Sequence, residues 1–372
     1  MLIHIEANGV PQNLYTASVI IYGGGSAGRA IYRLLSEKGV KITYIVDDNG
    51  SLHGEIFEGA EIVSFSRFLE LNKERQNIAV VLGTIYGKSI LAKIEGLPHV
   101  QIYEMYEWLE DASGNRQKRS AQFEDRAEVE RLRVNLESLS PRWADEESRR
   151  VINGLLRYAS TQNLADIAEI CAAERQYFIP EVVKAVSHLK GMKIIDGGAC
   201  WGDLLSSIRT LKLPLEKWYG FEADGENFKR LQRTVSALDS SEQQKTVCIN
   251  KGLWSATGSV DFDGGQGTAS RIVEHETSEK VEVISIDDYF RDSVCNFIKM
   301  DIEGAELEAL KGAARTIERD RPIMAISIYH SLADFWRIPQ WMIEHLSGYR
   351  YLVRHHSMIF SETVLYAIPD EL

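Results

Sequence analysis

Short runs of β-branched and apolar residues alternate along the chain with amphipathic stretches, the pattern of strands feeding helices in an α/β protein. Ser18-Val19-Ile20-Ile21-Tyr22 predicts a buried strand, Arg29 to Leu35 a helix, Ile42 to Val46 a second strand and Ile78 to Leu82 a third. After a break at Ser113-Gly114-Asn115, apolar residues recur at helical spacing: Phe123, Val129, Leu132, Leu136 and Leu139 share one stripe, which Pro141 interrupts. A second helix is expected from Asp145, whose carboxylate suits an N-cap, burying Val151, Ile152, Leu155 and Leu156.

The strand pattern then returns. Met192 to Ile195, Lys217 to Phe221, Thr246 to Asn250, Asn296 to Met300 and Ile323 to Tyr329 predict five strands. Gly258 to Phe262 and Val281 to Ile286 predict extra strands around a polar loop at 263–270, a candidate cleft edge. Tyr349 to Arg354 and Thr363 to Ile368 predict a closing hairpin. These elements suggest three parts: a first α/β domain at 1–112, a helical connector at 113–180 and a larger α/β domain at 181–372.

Composition narrows the classes. The 372 residues are 44% hydrophobic and 26% charged, as expected of globular domains. A net charge of −12 argues against a nucleic-acid partner, which needs clustered Lys and Arg. The basic run Arg116-Gln117-Lys118-Arg119 is short and flanked by acids, as on a solvated helix face. Cys171, Cys200, Cys248 and Cys295 show neither paired nor zinc-like spacing, so a reduced, cytoplasmic setting is expected. No apolar run approaches the roughly 20 residues of a membrane span, and no signal peptide is visible. Assembly into a homo-oligomer is compatible with all of this.

Two glycine loops carry the candidate chemistry. The first is Gly23-Gly24-Gly25-Ser26-Ala27-Gly28, between a strand and a helix, with Asp47 closing the next strand. Strand, G-x-G-x-x-G, helix, strand, acid is the order of a Rossmann-like domain, in which the helix start attracts phosphate and the acid meets a ribose. A nucleotide or nucleotide-sugar held by Gly23, Gly25, Gly28 and Asp47 is one reading; a turn kept only for folding is the other. The second loop is Asp196-Gly197-Gly198-Ala199-Cys200-Trp201-Gly202, whose D-x-G-x-x-x-G spacing is the usual loop of S-adenosylmethionine-dependent methyltransferases. Gly198 and Gly202 let backbone pass close to a ligand. Asp196 is expected to hold the amino-acid end of the donor. Glu222, about twenty residues on, is expected to accept the ribose hydroxyls, with Ala223 beside it.

On the acceptor side, Asp301 ends a strand, and Glu303 and Glu306 are expected to open the following helix. Three carboxylates so close in sequence should raise at least one pKa. His330, expected at the end of the next strand, is placed for proton transfer near neutral pH. A divalent cation on Asp301 and Glu303 lacks the further oxygen ligands such an ion needs, so no metal is assigned. His355 and His356 point to opposite faces of a strand and do not share one.

Together Asp196 to Asp203, Phe221-Glu222-Ala223-Asp224, and Ile298-Lys299-Met300-Asp301-Ile302-Glu303-Gly304-Ala305-Glu306 with Leu310-Lys311-Gly312 resemble the FkbM-type methyltransferases. A weaker likeness reaches back to Asp145 to Arg149 and to Tyr177-Phe178. The resemblance implies a class I methyltransferase domain, a Rossmann-like and mostly parallel seven-stranded sheet. It also implies S-adenosylmethionine as donor and O-methylation of a sugar, glycan or natural-product hydroxyl. Where many relatives carry an acid at the end of the fifth strand, this chain has Ser327 to His330. Two other classes compete: an NAD(P)-dependent oxidoreductase or nucleotide-sugar-modifying enzyme working through Gly23 to Asp47, and a donor-binding module without catalysis.

Overall fold

The computed structural model describes residues 2–5, 9–105, 123–264, 271–272 and 280–372. Residues 265–270 of the cleft-edge loop expected at 263–270, and residues 113–122 at the start of the expected connector, lie outside the described residues. The chain forms two compact units: Met1–Arg126 with Tyr158–Ala173 and Ser357–Phe360, and Ala127–Arg157 with Glu174–His356 and Ser361–Leu372.

In the first unit, β1 (Leu2–His4), β2 (Ser18–Tyr22), β3 (Ile42–Val46), β4 (Ile56–Phe57), β5 (Ala60–Val63), β6 (Ile78–Leu82) and β7 (Val100–Glu104) form one sheet. Its order is β1-β7-β6-β2-β3-β5-β4. All neighbours run parallel except the β4–β5 hairpin. The hairpin turns at Glu58 and Gly59, with φ of 47° and 97°, the doubly left-handed geometry that a two-residue β turn favours. Strands β2 and β6 are buried almost throughout, which explains their unbroken apolar runs. Helix Ser26–Glu37 crosses from β2 to β3.

The second unit holds β8 (Met192–Gly197), β9 (Leu215–Phe221), β10 (Thr246–Ile249), β11 (Gly252–Leu253), β12 (Gly258–Asp263), β13 (Arg271–Ile272), β14 (Lys280–Ile284), β15 (Phe297–Met300), β16 (Ile323–Ser327), β17 (Tyr349–His355) and β18 (Thr363–Pro369). The main sheet is seven-stranded, in the order β10-β9-β8-β15-β16-β18-β17. It is parallel up to β16; β18 then inserts antiparallel between β16 and β17. The expected hairpin is therefore present, and its second strand is the inner one. Strands β11 to β14 make a separate four-stranded sheet.

The stripe over 123–139 becomes helix Arg126–Leu139, burying Leu132, Leu136 and Leu139. Helix Glu146–Thr161 follows, and Asp145 accepts the Ser148 N–H at 2.8 Å, as an N-cap does. Two details differ from expectation. Strand β16 ends at Ser327, so His330 lies in the loop beyond it. The helix after β15 is Glu306–Lys311, leaving Glu303 in the preceding turn with φ +56°.

Candidate functional site

The carboxyl ends of β9, β8 and β15 lie side by side in the second unit, and the loop after β8 bridges them. Gly198 has φ +68°, and a Cβ there would stand 1.9 Å from the Asp301 carbonyl oxygen. Its need for glycine is thus a close pass against protein backbone. Gly202, at φ +91°, is the N-cap of helix Asp203–Thr210. At the other edge of the loop, the Cys200 N–H donates to Glu222 Oε2 at 2.9 Å and the Asp224 N–H donates to Oε1 at 2.9 Å. Each Glu222 oxygen thereby keeps a lone pair for a further donor. Burial pushes its carboxyl above the usual range. Ala223 is half-buried beside it, its carbonyl receiving Asn250 Nδ2 at 3.3 Å.

Asp196 is not at the surface of this site. It is 0% exposed. Its Oδ2 accepts from Trp218 Nε1 at 3.1 Å, and its Oδ1 lies 3.1 Å from Lys299 Nζ. The expected direct grip on a ligand gives way to a structural one, because a buried carboxylate paired with an ammonium has no face to offer. Lys299, which sequence reasoning passed over, also donates to the carbonyls of Gly197 at 2.9 Å and Gly198 at 2.8 Å. Burial opposes its charge, but Asp196 and Asp301 outweigh burial and hold the ammonium above the ordinary lysine value. Its signal was a lone charge inside an apolar strand.

Asp301, Glu303 and His330 do come together, with side chains 21%, 29% and 7% exposed. His330 Nε2 stands 3.3 Å from Asp301 Oδ1 and 3.6 Å from Glu303 Oε2, while Nδ1 stands 3.1 Å from Glu306 Oε1. Burial disfavours its charge, but Glu306 and Asp301 prevail and push the imidazole well above the usual histidine range. The acids thus favour the protonated form of His330, which works against the part in removing a proton that was expected of it. Burial likewise opposes ionisation of Asp301, but His330, Lys299 and the Tyr177 hydroxyl hold it well below the usual carboxylate range. Glu303 behaves as crowded acids should: burial, then its acidic neighbours, raise it to about 7.

Among the described residues, Asp301, Glu306 and His330 form the one group with three ligand atoms in metal-binding proximity. The imidazole stands between the two carboxylates, and the Glu306 oxygens already accept N–H groups from Ile302 at 2.7 Å and Gly304 at 3.0 Å. The arrangement is that of a charge-paired imidazolium. His355 and His356 have separate partners, Thr363 Oγ1 and the Tyr366 hydroxyl, each at 2.8 Å.

Two tyrosines absent from the expected site complete it. Tyr177 donates its hydroxyl to Asp301 Oδ2 at 2.7 Å, and the Tyr329 hydroxyl lies 3.2 Å from Asp301 Oδ1. Tyr177 (φ 68°), Cys200 (47°), Glu303 (56°) and Glu362 (62°) all hold left-handed backbone around this one place. Such strain collects at functional sites.

In the first unit, the glycine loop from Gly23 to Gly28 is closed on itself. A Cβ on Gly28 would meet the Gly23 carbonyl oxygen at 1.7 Å, and Gly23 (φ +119°) packs on Gly83. Asp47 accepts from the Gly24 N–H at 2.6 Å and the Asn49 N–H at 2.7 Å. Gly25 is the N-cap of helix Ser26–Glu37, with open space where a Cβ would stand.

The seven-stranded sheet thus carries an acidic, glycine-bridged edge at the ends of β9, β8 and β15. Residues 196–351 match the methyltransferase FkbM domain. The crystal structure of methyltransferase FkbM from Methylobacillus flagellatus KT is similar over 96% of this chain and 94% of its own, at 25% identity and a TM-score of 0.57. The methyltransferase domain of bacterial-CtHen1-CN aligns with 51% of this chain and 95% of its own, at 16% identity and a TM-score of 0.30. No curated protein matches the chain. Among the described residues, no helix is long and apolar enough to cross a membrane.

Proposed function

We propose that this methyltransferase takes its methyl group from S-adenosylmethionine and passes it to a hydroxyl oxygen of a sugar, glycan or related natural product. The observation that carries the reading is the pair Glu222 and Asp301, acids closing two strands that flank β8, with the glycine loop between them. The donor fits this edge: Glu222 has two lone pairs left for a ribose diol, and Gly198 and Gly202 keep the loop low. Ala223 borders the nucleoside, and Asp196 acts from below by fixing Lys299 under the loop. When bound, the sulfonium supplies an activated methyl carbon and a good leaving group, so no covalent nucleophile is needed from the protein. What the chain must supply is alignment of the acceptor oxygen, roughly 3–3.5 Å from that carbon. Asp301, partly exposed and fixed by two tyrosines, orients the acceptor hydroxyl; Glu303 and the His330 cation complete its polar surround.

The test is methyl transfer from labelled donor to a panel of nucleotide sugars and glycans. Wild-type protein should label at least one acceptor, and Asp301→Asn should bind donor normally while turnover falls roughly 100-fold or more. Donor binding without transfer to any acceptor would favour a non-catalytic module. A second reading concerns the first unit. The uncapped helix start at Gly25 favours a phosphate-bearing ligand there, a nucleotide or nucleotide-sugar. Thermal-shift titration with NADH and nucleotide sugars decides it: stabilisation lost in Gly25→Val supports the site, and no stabilisation rejects it.

A further inference from the structure

Glu362 lies between β17 and β18 and was singled out by no sequence pattern. Its side chain reaches the acceptor edge of the second unit. Gln176 Nε2 donates to Oε2 at 2.7 Å, and Oε1 lies 3.2 Å from the Tyr329 hydroxyl. That same hydroxyl lies 3.2 Å from Asp301 Oδ1. One phenol carries one proton, so it can donate to only one of the two carboxylates at a time. When it donates to Asp301, a proton on Glu362 completes the chain from Glu362 O–H to the Tyr329 oxygen to Asp301. When it donates to Glu362, the Tyr329 oxygen is free to receive a proton from Asp301. The geometry is thus complete with a proton at either end.

Asp301 cannot be the final holder of that proton. The Tyr177 hydroxyl donates to it at 2.7 Å and His330 Nε2 lies 3.3 Å away, and both favour its anion. Resting on the methyl-transfer reading, we infer that Glu362 is the terminal proton acceptor of the reaction, reached from Asp301 through the Tyr329 hydroxyl. The acceptor O–H gives its proton to Asp301 as its oxygen forms a bond to the methyl carbon, while the carbon–sulfur bond of the sulfonium donor breaks with its electron pair on sulfur. Asp301 passes the proton to the Tyr329 oxygen, and Tyr329 releases its own to Glu362. Asp301 is restored as an anion, and Glu362 later loses the proton to water.

The groups facing Glu362 are Asp301 from the end of β15, Tyr329 and His330 from the loop after β16, Gln176 from the segment before helix Pro180–Val186, and Glu303 from the turn after β15. Burial, then the Asp301 charge, raises the Glu362 carboxyl to about 7, where a proton acceptor works best near neutral pH. Burial first, and then these acids, keeps the Tyr329 phenol well above its usual range, so it relays a proton without losing one.

Infrared difference spectra of the carboxyl C=O stretch across pH 5 to 9, on the full chain, test the proton site without turnover. In the Glu303→Gln protein one carboxyl band should titrate near 7. It should vanish in Glu303→Gln/Glu362→Gln and shift in Glu303→Gln/Tyr329→Phe. A band indifferent to both second substitutions would overturn the inference. In turnover, Glu362→Gln should lower kcat roughly 100-fold, leave donor affinity and acceptor KM within about twofold, and remove the rise of kcat through pH 7. Tyr329→Phe should do the same with Glu362 intact. An unchanged kcat–pH profile in both variants would reject the relay and leave the methyl-transfer reading standing. Absence of transfer by the wild-type protein would count against that reading instead, with the spectra still deciding the proton site.

Discussion

Lys299 Nζ lies 3.1 Å from Asp196 Oδ1, an ion pair with both side chains withdrawn from solvent beneath the glycine loop. The ammonium ties this pair to the Gly197 and Gly198 carbonyls, so one buried charge fixes the path of the loop. Removing one partner leaves the other charge buried alone. Lys299→Met should therefore cost about 3–5 kcal/mol of stability, and Lys299→Met/Asp196→Asn distinctly less. Urea denaturation checks this; equal losses in the single and double variants would show that the pairing is not what matters.

Gly198 and Gly225 make a controlled comparison. A Cβ at Gly198 meets the Asp301 carbonyl at 1.9 Å in left-handed backbone, whereas nothing lies within 4 Å of a Cβ at Gly225. Gly198→Ala should cost more than about 1 kcal/mol and abolish donor binding. Gly225→Ala, in the first turn of helix Gly225–Ser236, should be neutral or slightly stabilising. Melting curves with and without donor separate the two.

Glu303 carries two strains at once, a left-handed φ of 56° and crowding by acids. Glu303→Gly should raise stability by about 1 kcal/mol while lowering turnover, the exchange expected where strain serves function. A variant both less stable and fully active would contradict this.

The same residue gives stability a pH dependence. Its folded pKa is raised from the ordinary 4.5 to about 7, so the folded state binds more protons than the unfolded one between those values. The stability this group contributes is fully present below about 4.5 and is lost as pH rises through about 7. Glu303→Gln should flatten the fall in stability across that window, read from urea midpoints at successive pH values.

Much of this was legible along the chain for a local reason. Strands β2, β6, β8, β15 and β16 are buried almost throughout, so each announces itself as an apolar run. Glu222 and Asp301 stand where β9 and β15 stop, which is why their positions at strand ends could be read along the chain. Asp196 obeys the same local rule and misleads, because whether a strand-end acid turns outward depends on Lys299, a hundred residues away. Tyr177 was noted only as part of a weaker likeness, and Glu362 was silent, since neither sits at a fixed offset from a motif. Tyr177 lies in irregular chain, and Glu362 reaches the site only because β18 inserts beside β16. Strands β1, β4, β5 and β7 are short or mixed in polarity, so periodicity gave them no voice. His330 lies in the loop beyond the strand end where it was expected, and its protonation depends on Glu306, whose meeting with it is a property of the fold.

The account stands on a nucleoside being gripped at the Glu222 edge of the second unit, and calorimetry with S-adenosylmethionine tests it most directly. Wild-type protein should bind one donor per chain, Glu222→Gln should bind at least tenfold more weakly (about 1.4 kcal/mol), and Asp47→Asn should bind as the wild type does. Undiminished affinity in Glu222→Gln, or affinity lost only in Asp47→Asn, would contradict it.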